Sequence, residues 1–336
     1  MQNASTVDSG LFLLTLWGMG RPEYPKDMRE FRGHFSTPRA CLEYLAQSRW
    51  PEGFVCPKCS GKSAWLNSKR YVFECRQCRR QTSPMAGTLM HRSHIPVQEW
   101  FWAAYLMATH TPGISAVQLQ RQLGISSDTT AWYMLHRLRK GMVNENRSHL
   151  SGLIEADETI IGGPAKHKRG RGVTAAKHKT LVIGAVEVIC YEDKKGKRCE
   201  RAGRLRLSTL DDAGEVSIRK FLTQNIEAGS TLRTDGWRGY SDAALVGYKH
   251  RVRVVRTPER AHRVAPHIHR VFSNLKAWLN GTHHGVDPKY LQSYLDEFVF
   301  RFNRRNTPMA AFQTLLGIST QKPPLTLPEL VTRSQP

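Results

Sequence analysis

Two Cys-x-x-Cys pairs, Cys56-Pro-Lys-Cys59 and Cys75-Arg-Gln-Cys78, stand fifteen residues apart and restrict the fold of this chain more than any other feature. Each pair puts two thiolates on one side of a turn, and two such turns complete a sulfur tetrahedron around one zinc ion. The surrounding segment, 53–82, is short, polar and turn-rich, so it is predicted to be a zinc ribbon. Four sulfurs leave no open coordination position, which makes this zinc structural. Redox use is the competing reading, and two equally spaced knuckles argue against it. Cys41, Cys190 and Cys199 lack partners at ligand spacing and read as packing residues. Seven cysteines in this pattern favour metal over a disulfide framework, hence a reducing compartment.

The charge balance narrows the partner. Fifty Lys and Arg against 28 Asp and Glu leave a formal net charge of +22, and such an excess points to a polyanion, since each cation that neutralises a phosphate releases a counterion. Double-stranded DNA is the expected partner; ribosomal RNA and an anionic membrane surface are the competitors. Lys58, Lys62, Lys69, Arg70, Arg76, Arg79 and Arg80 crowd the ribbon, and of these Arg76, Arg79 and Arg80 are expected to touch the DNA backbone rather than form a merely solvated face. No stretch of 18 apolar residues exists, and the short run Leu11 to Trp17 has no basic segment before it. A membrane span and a signal peptide are therefore not expected, and the protein reads as cytoplasmic and nucleoid-associated.

A length of 336 residues, 40% of them hydrophobic, suits two or three domains with real cores. A helix is predicted from Ser36, with Pro38 in its first turn, and another after Pro96 that is apolar on nearly every face and so belongs to a core. Between Gly113 and Arg139, Ser115 caps one helix, Gly124 turns the chain, and Ser126 or Ser127 caps a second helix. This is a helix-turn-helix pattern with Ser127, Asp128, Thr129 and Thr130 at the groove end; a plain helical hairpin is the alternative. Strands then follow at 152–161, 180–190 and 204–210, a helix at 214–226, strands at 231–235 and 250–255, and helices at 266–280 and 288–303. That α/β order is compatible with a ribonuclease H-like layer. The expected domains are 30–92 (helix and ribbon), 93–147 (helix-turn-helix region) and 148–315 (α/β). Pro323, Pro324, Pro328 and Pro336 mark 316–336 as a tail.

Chemistry on phosphodiesters needs carboxylates that hold divalent ions at the attacking and leaving oxygens. Asp157, within Gly152-Leu-Ile-Glu-Ala-Asp-Glu-Thr-Ile-Ile, is an acid in a largely apolar strand, a costly placement unless it binds something. An edge-strand acid is the bland alternative, and Glu155 and Glu158 are weaker rivals. Asp235 ends the strand Thr231-Leu-Arg-Thr-Asp and is followed by Gly-Trp; alone, Asp-Gly is equally a common turn, and its pairing with Asp157 raises its weight.

The order of ribbon, helix-turn-helix, EADETIIGG, TDGWRGY and HRVFSNLKAWLNGTHHGV resembles, over about residues 30–315, bacterial insertion-sequence transposases of the zinc-ribbon ISXO-like type. The resemblance implies a DDE-type enzyme with a ribonuclease H-like catalytic core. It also implies that Asp157 and Asp235 are metal ligands, usually of Mg²⁺, and that the chain binds terminal inverted repeats, cuts DNA and joins it to a target as a dimer or higher oligomer. Such enzymes place a glutamate on a later helix, with a basic residue two turns beyond. Here the corresponding position is His269, with Lys276 seven residues on, and both lie on one helical face. His269 thus resembles the third ligand and Lys276 the DNA-contacting cation, with Glu297 as a substitute acid or else a partner of Arg301. An imidazole ligand suits Mn²⁺ at least as well as Mg²⁺ and implies activity that falls below about pH 6. Lys166, Lys168 and Arg169 are expected to guide DNA ends, unless they are a solvated loop. The histidine at the third position also keeps open a second reading, a DNA-binding regulator derived from a transposase. A ribosome-associated zinc protein would share the charge but leave the acidic pair unexplained.

Overall fold

A computed structural model describes residues 22–162, 179–237, 239–241, 245–252 and 264–332. The expected DNA-guiding residues Lys166, Lys168 and Arg169 lie outside the described residues. The chain divides into two compact units: residues up to Met142 together with Thr307–Glu329, and Val143–Asn306 with the last seven residues.

In the first unit, Asp27 accepts the Glu30 N–H to start α1 (Met28–His34), and Thr37 caps α2 (Pro38–Arg49), whose first residue is the proline. Antiparallel strands β1 (Ala64–Asn67), β2 (Val72–Cys75) and β3 (Gln81–Thr82) form the ribbon sheet. Its inner face packs Tyr71, Phe73 and Cys75 against Trp50 and Phe54. Helix α3 (Val97–Thr109) is core, as its all-round apolarity required, with Trp100, Phe101, Ala104 and Met107 sealed from solvent.

Helices α4 (Ala116–Leu123) and α5 (Asp128–Gly141) follow, capped by Ser115 and Ser127, with Gly124 left-handed at φ 64° between them. Leu119, Ile125, Leu135 and Leu138 are buried at their junction, whereas Val117 is exposed.

The segment from 316, expected as a tail, begins inside a helix. Helix α9 (Pro308–Gln321) sets Phe312 with its ring centroid 5.5 Å from that of Phe31 and 6.0 Å from that of Phe101. Leu315, Leu316, Ser319 and Thr320 are also buried, and α10 (Leu327–Thr332) follows. The prolines beyond residue 322 stop α9 late; its helical burial period runs through the expected boundary.

The second unit is a mixed α/β layer. Its five-stranded sheet has the order β6-β5-β4-β7-β8, built from β4 (Leu153–Ile161), β5 (Thr180–Glu192), β6 (Arg198–Leu210), β7 (Thr231–Thr234) and β8 (Lys249–Val252). β4, β5 and β6 pair antiparallel; β4–β7 and β7–β8 pair parallel. Helix α6 (Glu215–Asn225) covers one face, setting Ile218, Phe221 and Leu222 on Ile154, Ala156, Ile183 and Leu232. Helices α7 (Pro266–His283) and α8 (Leu291–Asn303) cover the other, setting Ile268, Phe272, Leu275 and Leu295 on Val182, Val186, Leu205 and Leu207. β4 is therefore central and covered on both sides, which makes its three acids conspicuous. Among the described residues no helix is long and apolar enough to cross a membrane.

Candidate functional site

The ribbon cysteines converge. Cys56 Sγ lies 3.5 Å from Cys78 Sγ, Cys59 Sγ lies 3.6 Å from Cys75 Sγ, and all four sulfurs fall within 4.8 Å of one another. A zinc ion with sulfur ligands at about 2.3 Å fits such a tetrahedron. The two knuckles repeat one geometry: Ser60 and Arg79 both adopt φ 59°, and their N–H groups donate to Cys56 O and Cys75 O at 2.9 and 3.0 Å. The Lys58 N–H also donates to Cys56 Sγ at 3.4 Å, a hydrogen bond that suits a thiolate ligand. A methyl at Gly61 would stand 2.7 Å from Gln77 Oε1 and 3.3 Å from the Cys75 sulfur, so the backbone of the first knuckle runs close beside the ligand cluster.

The outer face of the ribbon carries a feature that sequence reading missed. Trp65 stands 45% exposed on β1, opposite Glu74 of β2, which in turn faces Gln81 of β3. The Arg79 guanidinium lies 4.6 Å from its indole centroid and that of Arg76 5.2 Å away. Arg76, Arg79 and Arg80 are all exposed. Thr129 is exposed too, at the first turn of α5, where its N–H donates to Asp128 Oδ1 at 2.7 Å.

In the second unit, Asp157 is buried on β4, with Oδ2 3.5 Å from Nδ1 of half-exposed His269 on α7. Asp235 directly follows β7. The parallel ladder pairs Leu153 with Thr231 and Glu155 with Arg233, and Asp235, just past the end of β7, is near enough for its charge to act on Asp157. Burial pushes the Asp157 carboxyl up to about 6; the His269 ring opposes that shift, and Asp235 adds to it as the weakest of the influences. Gly184, paired with Asp157 on β5, is what lets α7 come this close: a methyl there would meet Ile268 and Phe272.

Lys276 is exposed two turns along α7 from His269. Glu297 is fully buried on α8, 3.6 Å from Arg301, so the substitute acid is found in the ion pair that was its alternative reading. Glu158 turns to the opposite face of β4, where the Tyr240 hydroxyl donates to it. Burial pushes Glu158 up to about 7, helped by the charges of Asp157 and Asp235.

Glu155, read as a rival ligand, is otherwise engaged. Its Oε1 accepts from Arg233 at 3.0 Å, and its Oε2 accepts the N–H groups of His267 and Ile268 at 2.7 and 3.0 Å. Arg233 also donates twice to Glu200 at 3.0 Å, and His267 Nε2 lies 3.7 Å from Glu200.

Known proteins match both parts of this arrangement. Residues 149–303 match the ISXO2-like transposase domain family, and residues 36–81 match the transposase zinc-ribbon domain. The chain thus carries both an ISXO2-like transposase domain and a transposase zinc ribbon. Asp157, Asp235 and His269 all fall inside the transposase domain, and the four cysteines inside the ribbon domain, while α3 to α5 lie outside both matches. A relative from Halobacterium salinarum, described as an uncharacterized protein in transposable element ISH50, is 26% identical over 215 residues, spanning 61% of this chain and 70% of its own length. A chain from the crystal structure of a pre-cleavage Mos1 transpososome aligns over 62% of this chain and 75% of its own, with 11% identity and a TM-score of 0.25, too low to bear on the fold.

Proposed function

We propose that this protein is a DDE-type polynucleotidyl transferase that binds the terminal inverted repeats of an insertion sequence, cleaves DNA at its ends and transfers the strands to target DNA. The observation that carries the reading is the buried Asp157 carboxylate on the central strand, beside His269 and within reach of the charge of Asp235, within a transposase domain. An acid in that position is stabilised by a bound cation. Two carboxylates and an imidazole suit Mg²⁺ or Mn²⁺. Bound there, the ion supplies the positive charge that activates a hydroxyl and stabilises a leaving oxygen. The sheet order, three antiparallel strands followed by two parallel ones, supports a ribonuclease H-like catalytic core.

The protein's own groups divide the remaining work. Asp157 and Asp235 hold the ion, and His269 completes the ligand set from α7. Lys276, on the same face of α7, holds a DNA phosphate, as Lys166, Lys168 and Arg169 do in our reading of the sequence. Arg76, Arg79 and Arg80 with Trp65 bind the backbone of the inverted repeat, and the α4–α5 pair acts as a helix-turn-helix with Thr129 entering the groove. Joining two ends requires at least two protomers on DNA.

The test is cleavage of oligonucleotides that carry the element's ends, with Mg²⁺ or Mn²⁺. Wild-type protein is expected to nick them, while Asp157→Asn and Asp235→Asn bind the ends but do not cut. Binding without metal-dependent cleavage by the wild type would favour a DNA-binding regulator derived from a transposase.

A further inference from the structure

The Glu155, Arg233, Glu200 and His267 network has a regular relation to the proposed ligands. Glu155 lies two residues before Asp157 on β4, Arg233 two before Asp235 at the end of β7, and His267 two before His269 on α7. Along a strand, residues two apart share a face, so Glu155 and Arg233 point to the side on which Asp157 works. Three elements that contribute one ligand each are thus tied together one step below the ligands.

We infer that this network is a positioning clamp that sets the distances among Asp157, Asp235 and His269, a role that rests on the proposed metal-dependent function. Glu155 is fully buried and uses both oxygens: one binds the Arg233 guanidinium and so joins β4 to β7, the other caps the open N-terminus of α7 through two N–H groups. No side chain of α7's own caps that end, where Pro266 occupies the first turn. Without Glu155, the α7 N-terminus would lose its two hydrogen bonds to the central strand, and the His269–Asp157 distance would no longer be held from behind. Glu200, on β6, holds the far side of Arg233 through two hydrogen bonds, so the guanidinium cannot swing away from β4.

Glu155, Glu200 and His267 offer ligand atoms within 4.8 Å of one another and by composition could hold a metal themselves. The contacts argue against it. The Arg233 guanidinium sits 3.0 Å from both acids, and the second oxygen of Glu155 faces two backbone donors. A cation there would have to displace a cation already bound, beside the positive end of a helix. The cluster is filled by arginine and serves the neighbouring site from behind.

The experiment measures Mn²⁺ binding to the zinc-loaded full-length protein by calorimetric titration, alongside circular dichroism and binding to end-bearing DNA. Groups that orient metal ligands from behind typically contribute about 10–100-fold to metal affinity. Glu155→Gln is expected to weaken Mn²⁺ binding about tenfold or more, with DNA-end affinity unchanged. Glu200→Gln, at the half-exposed end of the network, avoids a folding defect and shifts Mn²⁺ affinity in the same direction by a smaller factor. Unaltered Mn²⁺ affinity in both variants, where Asp157→Asn abolishes it, would overturn the clamp and leave the proposed function standing. Loss of Mn²⁺ binding in both variants, where Asp157→Asn and Asp235→Asn retain it, would make the cluster itself the ion site and overturn clamp and function together.

Discussion

Gly184→Ala is the smallest change that tests whether helix–sheet distance sets the candidate active site. The added methyl would stand 2.8 Å from Ile268 Cδ1 and 2.9 Å from both Leu207 Cδ2 and Phe272 Cε1. Carbon atoms rest at about 3.5–4.0 Å, so each neighbour has to retreat by roughly 0.6–1.2 Å. Ile268 and Phe272 both belong to α7 and flank His269, so whatever part of the retreat their side chains do not absorb by rotation moves the helix that carries the imidazole. Overpacking of this kind costs about 1–3 kcal/mol. For a unit of this size each kcal/mol lowers the unfolding temperature by roughly 2–4 °C.

A displacement of about 1 Å in a catalytic constellation costs on the order of 100-fold in rate. Gly184→Ala is therefore expected to melt several degrees lower and to cleave end-bearing DNA far more slowly, while it binds that DNA as the wild type does. Ile268→Val in the same chain removes the nearest atom and should return part of both losses. A variant with wild-type melting and cleavage would refute the close-approach argument, and so would one in which DNA binding falls as far as cleavage.

Three further outcomes follow from the geometry. Trp65→Ala removes the ring over which the Arg76 and Arg79 guanidiniums are held, Arg79 keeping its pairing with Glu74, so the slope of log affinity against log salt should fall by about one to two, each neutralised phosphate contributing about 0.9; a drop in affinity with the slope unchanged would mean that the indole stacks on DNA instead. Cys75→Ser should remove the zinc and the ribbon's DNA contact together, read by metal analysis and a binding assay; a zinc-free ribbon that still binds DNA would contradict the structural role of the ion. Glu187 resists burial's upward push because Arg204 and the Ser151 N–H hold its carboxyl below the ordinary glutamate range. Its stabilising contribution is therefore present above the unfolded value of about 4.3 and is lost as pH falls through the lower folded value. The stability gap between wild type and Glu187→Gln, measured by denaturant titration, should be largest at neutral pH and shrink in acid; a gap independent of pH would rule out the charge as its source.

Much of the candidate site was legible because its residues are anomalous where they stand. Asp157 interrupts an apolar strand, the cysteines repeat a spacing, and His269 and Lys276 share a helical face. Each signal is local, and local periodicity survives in a single sequence. The clamp was not legible, because Glu155, Glu200, Arg233 and His267 come from four separate elements and meet only through strand register and a helix cap. Glu155 read as a rival ligand for the same reason: an acid on a central strand looks alike whether it faces a metal or an arginine. Polar residues hid the outer reach of the β5–β6 hairpin, Glu192 and Arg198 to Arg201 having no apolar alternation to mark them. Trp65 escaped notice because one exposed aromatic has meaning only once Arg76 and Arg79 are seen over its ring.

The measurement that bears most directly on the central claim is the location of the divalent ion, by anomalous scattering from crystals of the protein soaked in Mn²⁺. Density bounded by the carboxylates of Asp157 and Asp235 and the imidazole of His269 is expected, with Arg233 still seated between Glu155 and Glu200. Manganese bound by Glu155, Glu200 and His267, with Arg233 expelled, would contradict the claim.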